Sequence, residues 1–271
     1  MKWERGQSRA QTQSGETVQL GLVERYQHLL QDVLVQAKPI AAAATMIDAT
    51  SGQILAAAEL GRDARGSLLF EPVAPAASLF KLVTTVALYE RSDVTPSTQV
   101  CTHGGLRGIE REHLAPAQGP GTVCTKFAQA LGVSRNAVFA QLATQRLMRS
   151  DLEAVAASFG FGRQVQLDAP AHLGTLDIPY NDLEFARTAA GFQNSRLSVM
   201  GAAQIVLSIA RGGELTPMHF GPASPNQKPT RIMSPRTARR LREAMEVTIH
   251  SGTASSSFVD EHGLSTVGPV Q

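Results

Sequence analysis

A serine and a lysine three residues apart, in Ser78-Leu79-Phe80-Lys81, are the residues of this chain best suited to covalent chemistry. Apolar residues recur at helical spacing after Ser78, which predicts that a helix begins there. Residues three apart share a helix face, so the Ser78 hydroxyl and the Lys81 amine are expected to lie within hydrogen-bond distance. A serine becomes a nucleophile when a base takes its proton. Lys81 can be that base only if burial, aided by the helix dipole, lowers the pKa of its amine.

This pattern alone is weak evidence, because a Ser-x-x-Lys match arises about once by chance in a chain of this length and average composition. A second motif, Ser134-Arg135-Asn136, lies in a short turn between two predicted helices, where a hydroxyl and an amide can both point into a cleft. Serine and asparagine are also ordinary cap and turn residues. The same pattern at Ser224-Pro225-Asn226 lacks flanking helices and is interpreted as chance.

The bulk composition excludes some classes of protein. The chain has 271 residues, 43% of them hydrophobic, and a net charge of +2, which gives no electrostatic basis for binding nucleic acid. The basic stretch 236–242 is interpreted as the solvated face of a helix. No run of eighteen apolar residues predicts a membrane span, and the polar first eighteen residues lack the apolar centre of a signal peptide. A mature exported protein, or a segment cut from a membrane anchor, would look the same.

Two cysteines, Cys101 and Cys124, flank a segment rich in glycine, proline and histidine. Free thiols are one interpretation, and a disulfide across the loop is favoured if the protein is exported. Zinc bound with the help of His103 and His113 is a third, although the spacing matches no common zinc site.

The remaining pattern predicts an α+β fold made of a hairpin, a long helical region and no later strands. Residues 1–18 are predicted to be a disordered lead-in, and 92–123 a loop. Gly132 is predicted to end its helix as a left-handed cap. The predicted strands are 41–48 and 53–58, and the predicted helices are 18–36, one from Ser78, 125–131, 137–148, 151–159, 198–211 and 234–249.

With these elements in place, the chain resembles the transpeptidase domain of the penicillin-binding proteins, the active-site-serine family that cross-links peptidoglycan. Ser78-Leu79-Phe80-Lys81 is similar to the first motif of that family, and Ser134-Arg135-Asn136 to the second. Further likenesses follow in the same order from about Ala41 to the end: the hairpin 47–56, Phe159-Gly160-Phe161-Gly162, the helix 200–213 and Ser251-Gly252-Thr253-Ala254.

The resemblance implies a penicillin-binding, β-lactamase-like fold over 19–271, with a helical subdomain and an incomplete antiparallel sheet. It implies that Ser78 is the acylated nucleophile, Lys81 its general base and Ser134 a proton relay to the departing amine. Asn136 would bind the peptide amide of the substrate. Peptidoglycan stem peptides are the implied substrates and β-lactams the implied covalent inhibitors, with cell-wall synthesis proteins as further candidate partners. No cofactor, metal or nucleic acid is implied, and the implied location is periplasmic or otherwise extracytoplasmic, with a membrane anchor in the full-length protein.

The sequence departs from the family pattern at one motif that the implied function needs. The third motif, Lys-Thr-Gly or close to it, is absent, and Ser265-Thr266-Val267-Gly268 is no convincing substitute. The chain is interpreted as ending before that motif, without the last strands and helix, so acylation is expected to be impaired unless another segment completes the fold. A serine β-lactamase, a D,D-carboxypeptidase and a non-catalytic descendant that binds muropeptide or a partner remain alternatives to the transpeptidase.

Overall fold

The computed structural model describes residues 2–4, 7–11, 15–61, 66–168, 170–224, 227–260 and 266 of this chain. The strands are β1 (Lys2–Glu4), β2 (Gln7–Gln11), β3 (Thr17–Val23), β4 (Ala42–Ile47), β5 (Ile54–Leu60), β6 (Ala74–Pro75), β7 (Gln99–Thr102), β8 (Val123–Lys126), β9 (Gln164–Gln166), β10 (Pro170–His172), β11 (Gly174–Leu176), β12 (Ser195–Leu197), β13 (Glu214–Leu215) and β14 (Thr230–Arg231). The α-helices are α1 (Glu24–Ala37), α2 (Phe80–Arg91), α3 (Phe127–Gly132), α4 (Asn136–Arg146), α5 (Arg149–Ser158), α6 (Asp182–Ala189), α7 (Val199–Ala210) and α8 (Pro235–His250). Short 3-10 turns cover Ala77–Leu79, Arg111–Leu114 and Ser255–Ser257.

The chain divides into two compact units. The first is drawn from residues 1–75, 157–176 and 196–232, and the second from 76–156, 177–195 and 233–271. The chain therefore leaves the first unit and returns to it twice.

The first unit is built around the antiparallel hairpin β4–β5, with Ala42 opposite Leu60. The Asp48 carboxylate accepts the N–H of Thr50 in the turn, which closes with Gly52 at φ +81°. The predicted hairpin is confirmed within two residues at each strand. Apolar side chains from the hairpin, α7 and the surrounding loops form one core: Leu22, Ile54, Leu69, Leu167, Ala171, Leu173, Met200, Leu207 and Met218.

Two predictions at the start of this unit are wrong. The helix predicted over 18–36 begins only at Glu24, because Val18, Leu20 and Leu22 alternate with period two and continue β3. The predicted disordered lead-in over 1–18 instead contains β1 and β2, which pair antiparallel with each other and with β3. Trp3 packs against the core of the unit, which gives this segment apolar surface to bury.

The prediction of no strands after the hairpin is also wrong. The pairs β9–β10 and β13–β14 are antiparallel, and β12 pairs with β6. These strands have two or three residues each, which is too short for the alternation of polar and apolar residues that identifies a strand in sequence.

The second unit surrounds α2 with α4, α6 and α8. Ten of the twelve residues of α2 are buried, among them Lys81, Thr84 and Thr85, which identifies it as the central helix of the unit. In the segment 92–123, predicted as a loop, residues 99–102 form β7, which pairs with β8.

Gly132 does not act as the predicted left-handed cap. It is the last residue of α3, and a Cβ built on it would lie 2.4 Å from the Val247 side chain of α8. The close packing of α3 against α8 therefore explains why this position is a glycine. The sequence interpretation also missed α6, which begins at the Asn181 cap and supports the site described below. Pro225, Asn226, Ser265 and 267–271 lie outside the described residues.

Candidate active site

Ser78 lies in the 3-10 turn that leads into α2, with its side chain above the first turn of that helix. The Lys81 Nζ atom donates a hydrogen bond of 3.0 Å to Ser78 Oγ. The contact follows from the sequence spacing, because residues three apart lie on one helix face. The Ser78 N–H belongs to the first turn, where amides lack acceptors within the helix and can bind an oxyanion.

Lys81 is almost completely buried, with 1% of its surface exposed. Desolvation by burial lowers the pKa of its amine from 10.5 to about 8. About a quarter of the amine is then neutral at pH 7.5, against about one part in a thousand for an ordinary lysine. The ring of Phe139 lies 5.7 Å from Nζ, and its attraction for the ammonium does not offset the cost of burial. Lys81 therefore meets the physical requirement for a base.

Ser134 occupies a strained backbone position at the end of α3. Its N–H donates to the Leu131 carbonyl and the next N–H, of Arg135, donates to the Ala130 carbonyl, which is the Schellman arrangement. This arrangement requires a left-handed backbone conformation at Ser134, whose φ is +52°. Glycine is the usual residue in that conformation. This turn places Ser134 Oγ 3.0 Å from Ser78 Oγ.

Asn136 is the first residue of α4, two positions after Ser134. Its Nδ2 donates to the carbonyl oxygens of Gly105 and Leu106, at 3.3 and 3.0 Å. Because Nδ2 faces these acceptors, the orientation leaves Oδ1 as the atom of this amide that can accept a hydrogen bond from a ligand.

Gly191 is a supporting residue that the sequence interpretation missed. A Cβ built on Gly191 would lie 2.1 Å from the Ala77 carbonyl oxygen and 3.4 Å from the Ser78 nitrogen. Ala77 itself has a φ of +47°, so the residue directly before Ser78 is also strained. No local pattern links Gly191 with a residue more than a hundred positions earlier, and only the folded chain brings them together.

Together, Lys81, Ser78 and Ser134 form a continuous path for a proton. The Lys81 amine contacts the Ser78 hydroxyl, and that hydroxyl contacts the Ser134 hydroxyl, each over 3.0 Å. Such a path suits acyl transfer, in which a proton leaves the nucleophile and another reaches the departing group.

The sequence profile of the penicillin binding protein transpeptidase domain matches residues 42–265, which is most of the chain. The chain belongs to the penicillin-binding protein transpeptidase family. None of the curated proteins compared with the chain matches it.

Solved structures of this family have the same fold. A peptidoglycan glycosyltransferase from Burkholderia ambifaria is 25% identical, with a TM-score of 0.70 over 89% of this chain and 77% of the other. The transpeptidase domain of penicillin-binding protein 3 from Burkholderia pseudomallei is 25% identical, with a TM-score of 0.69 over 89% and 73%. Penicillin-binding protein A from M. tuberculosis, as its penicillin G acyl-enzyme, matches in fold at 20% identity and a TM-score of 0.69, over 85% and 63%. The predicted penicillin-binding fold is confirmed.

Among the described residues, no helix is both long enough and apolar enough to cross a membrane. The penicillin-binding protein family is extracytoplasmic.

Cys101 and Cys124 lie opposite each other on β7 and β8 and are joined by a disulfide. His103 and His113 come close to each other, and with Glu112 they present ligand atoms within 4.8 Å of one another. However, His113 Nδ1 accepts the Glu110 N–H at 2.8 Å, so the ring proton of neutral His113 must stay on Nε2. The histidine is thus in the wrong tautomer to bind a metal through Nε2, and this geometry argues against the zinc interpretation.

Proposed function

We propose that this chain is a serine acyltransferase of the D,D-transpeptidase type, acylated on Ser78 by peptidoglycan stem peptides and by penicillins. The observation that supports it best is the buried Lys81 amine, with its pKa lowered to about 8, in contact with Ser78 Oγ. A lysine that served only to stabilise the fold would gain nothing from losing its charge in this way.

In the proposed first half-reaction, neutral Lys81 takes the Ser78 proton as Oγ attacks the carbonyl carbon of the terminal D,D-peptide bond. The Ser78 N–H donates to the oxyanion of the tetrahedral intermediate. The C–N bond then breaks, and the departing amine receives a proton through Ser134, which leaves an ester on Ser78 and a neutral Lys81. Asn136 accepts a peptide N–H of the stem and holds it in register.

In the second half-reaction, an amine from a neighbouring stem peptide attacks the ester. Lys81 accepts the amine proton by way of Ser134, the ester C–O bond breaks, and Ser78 Oγ regains its proton. A penicillin follows the first half-reaction only, because its ring opens without releasing an amine fragment from the site. The penicillin G acyl-enzyme of penicillin-binding protein A from M. tuberculosis, which has the same fold, supports this step.

The test is incubation of the 271-residue chain with a fluorescent penicillin, followed by intact-mass measurement and peptide mapping. We expect one stable adduct, on Ser78, that is lost in Ser78→Ala and strongly slowed in Lys81→Met. Because the chain has no Lys-Thr-Gly triplet, its rate is compared with that of any longer product of the same coding sequence.

Each outcome distinguishes between functions. Rapid turnover of the penicillin would indicate a β-lactamase. In a parallel incubation with a stem peptide, release of its terminal D-alanine without a cross-linked product would indicate a carboxypeptidase. An adduct that persists in Ser78→Ala, or no adduct in either product, would contradict the proposed enzyme and leave a non-catalytic binding protein.

A further inference from the structure

The orientation of Asn136 depends on a loop that is remote from it in sequence. The carbonyls that fix its amide belong to Gly105 and Leu106, thirty residues earlier. A Cβ built on Gly105 would lie 2.8 Å from the Ala137 side chain, so the backbone of this loop rests directly on the first turn of α4. Movement of the loop would therefore release the Asn136 amide.

Arg187, on α6, fastens this loop at its other end. Its Nε donates to the Ile109 carbonyl at 2.9 Å, and Nη2 donates to the Glu110 carboxylate at 3.1 Å. Its Nη1 donates to Glu184 on α6 at 2.9 Å, which fixes the guanidinium on its own helix. Arg187 is 26% exposed and Glu184 29%, whereas Glu110 is 63% exposed. The bonds to the Ile109 carbonyl and Glu184 are therefore the stronger ones, and solvent weakens the bond to Glu110.

The same helix is attached to the nucleophile. The Ala189 carbonyl, at the end of α6, accepts the Thr84 hydroxyl of α2 at 2.8 Å, and Gly191 follows in contact with Ala77. A single helix thus spans from the turn that presents Ser78 to the loop that orients Asn136.

We propose that Arg187 is a positioning residue, which sets the orientation of the Asn136 amide through the loop 105–110 and so selects acyl donors that carry an amide. This inference rests on the proposed function, in which Asn136 binds the amide of the donor. Arg187 touches neither the donor nor the reacting atoms. The effect of replacing Arg187 on the acylation rate should therefore disappear when Asn136 is replaced or when the donor lacks the amide.

The experiment is a double-mutant cycle on acylation rates, with two donors. Benzylpenicillin carries a side-chain amide, whereas 6-aminopenicillanic acid has a bare amine in its place. We expect Arg187→Met to slow acylation by benzylpenicillin about tenfold, the size expected for a lost hydrogen bond to a charged group, and by the amine less than about twofold. In an Asn136→Ala background, Arg187→Met is expected to change neither rate.

Arg149→Met is the matched control. Arg149 is also half-buried, and it fastens a loop by donating to the Ile178 and Pro179 carbonyls, which do not contact Asn136. We expect it to lower the stability of the second unit without changing the ratio of the two acylation rates.

A second readout is independent of acylation. In ¹⁵N-labelled protein, the side-chain NH₂ signals of Asn136 are assigned by their loss in Asn136→Ala. We expect these NH₂ protons to exchange slowly with solvent, because Nδ2 donates hydrogen bonds to two carbonyl oxygens. Arg187→Met is expected to speed this exchange and Arg149→Met to leave it unchanged.

The two proposals fail differently. Absence of acylation by either donor in every variant would contradict the proposed function. Equal slowing of both donors by Arg187→Met, or an Asn136 NH₂ exchange rate that it leaves unchanged, would overturn the positioning role.

Discussion

Replacing Lys81 with methionine should make the protein more stable at neutral pH while it removes the proposed base. The change removes an amine that is 1% exposed and whose pKa falls on folding from 10.5 to about 8. A fall of about 2.5 in pKa corresponds to about 3 kcal/mol of folding free energy that charged Lys81 costs. The lost hydrogen bond to Ser78 offsets about 1 kcal/mol, so Lys81→Met should gain about 2 kcal/mol at pH 7.

The gain must depend on pH in one direction. Below pH 8 the lysine is charged in both states and the cost is complete, whereas between pH 8 and 10.5 the folded state has lost a proton that the unfolded state retains. The stability of the wild type therefore rises with pH across this window. The advantage of Lys81→Met shrinks to zero at about pH 9.5, and above pH 10.5, where only the lost hydrogen bond remains, the variant should be about 1 kcal/mol less stable than the wild type.

The assay is urea denaturation of both proteins at pH 7, 8.5 and 10, followed by circular dichroism. Lys126→Met, at an exposed position on β8, is the control and should show no comparable gain. A Lys81→Met protein that is no more stable than the wild type at pH 7, or that keeps the same advantage at pH 10 as at pH 7, would show that burial of the Lys81 charge does not cost this free energy.

Three further predictions concern the residues that hold the site together. Ser134→Gly should relieve the left-handed strain at φ +52° and stabilise the fold by about 1 kcal/mol, while it slows acylation at least tenfold; denaturation and adduct kinetics measure the two effects. Gly191→Ala places a methyl group 2.1 Å from the Ala77 carbonyl and should destabilise the second unit by more than 2 kcal/mol, on the order of an overpacked core, with loss of acylation. Reduction of the Cys101–Cys124 disulfide, which closes a loop with a sequence separation of 23, should lower the free energy of unfolding by about 3 kcal/mol, measured by urea denaturation with and without dithiothreitol.

Matched variants give these predictions their controls. Ser134→Ala should lose acylation as Ser134→Gly does but without the gain in stability; equal stabilities would mean that the backbone there is unstrained. Gly162→Ala also has a positive φ, +76°, but nothing lies within 4 Å of its built Cβ, so it should cost less than Gly191→Ala. A double Cys101→Ser, Cys124→Ser variant that is insensitive to dithiothreitol tests whether the effect of reduction comes from the disulfide.

The part of the site that sequence predicts is the part governed by local geometry. Ser78 and Lys81 approach each other because one helix turn separates them, and the hairpin of the first unit follows from two apolar strands around a turn. The approach of Ser134 to Ser78 spans 56 residues, and no local rule predicts it. Resemblance to the transpeptidase family supplied that pairing as an expectation.

The features that sequence missed depend on contacts made only after folding. Thr17–Val23 alternates with the period of a strand, but its apolar pattern continues without a break into that of the helix after Val23. The sequence therefore predicts one helix where the structure has a strand and then a helix. Gly132 looked like a cap because glycine often ends helices, yet it is required by the close approach of Val247. The role of Gly191 likewise follows from a neighbour that is distant in sequence.

If neutral Lys81 activates Ser78, the rate of acylation must follow the titration of the Lys81 amine. The second-order rate of labelling by a fluorescent penicillin, with the adduct mapped to Ser78, is measured from pH 6 to pH 9.5. We expect a rate that rises about tenfold per pH unit below pH 8 and levels off above it, as the amine with a pKa of about 8 loses its proton. A rate that stays constant between pH 6.5 and 9, or that falls as the amine deprotonates, would contradict the activation of Ser78 by neutral Lys81.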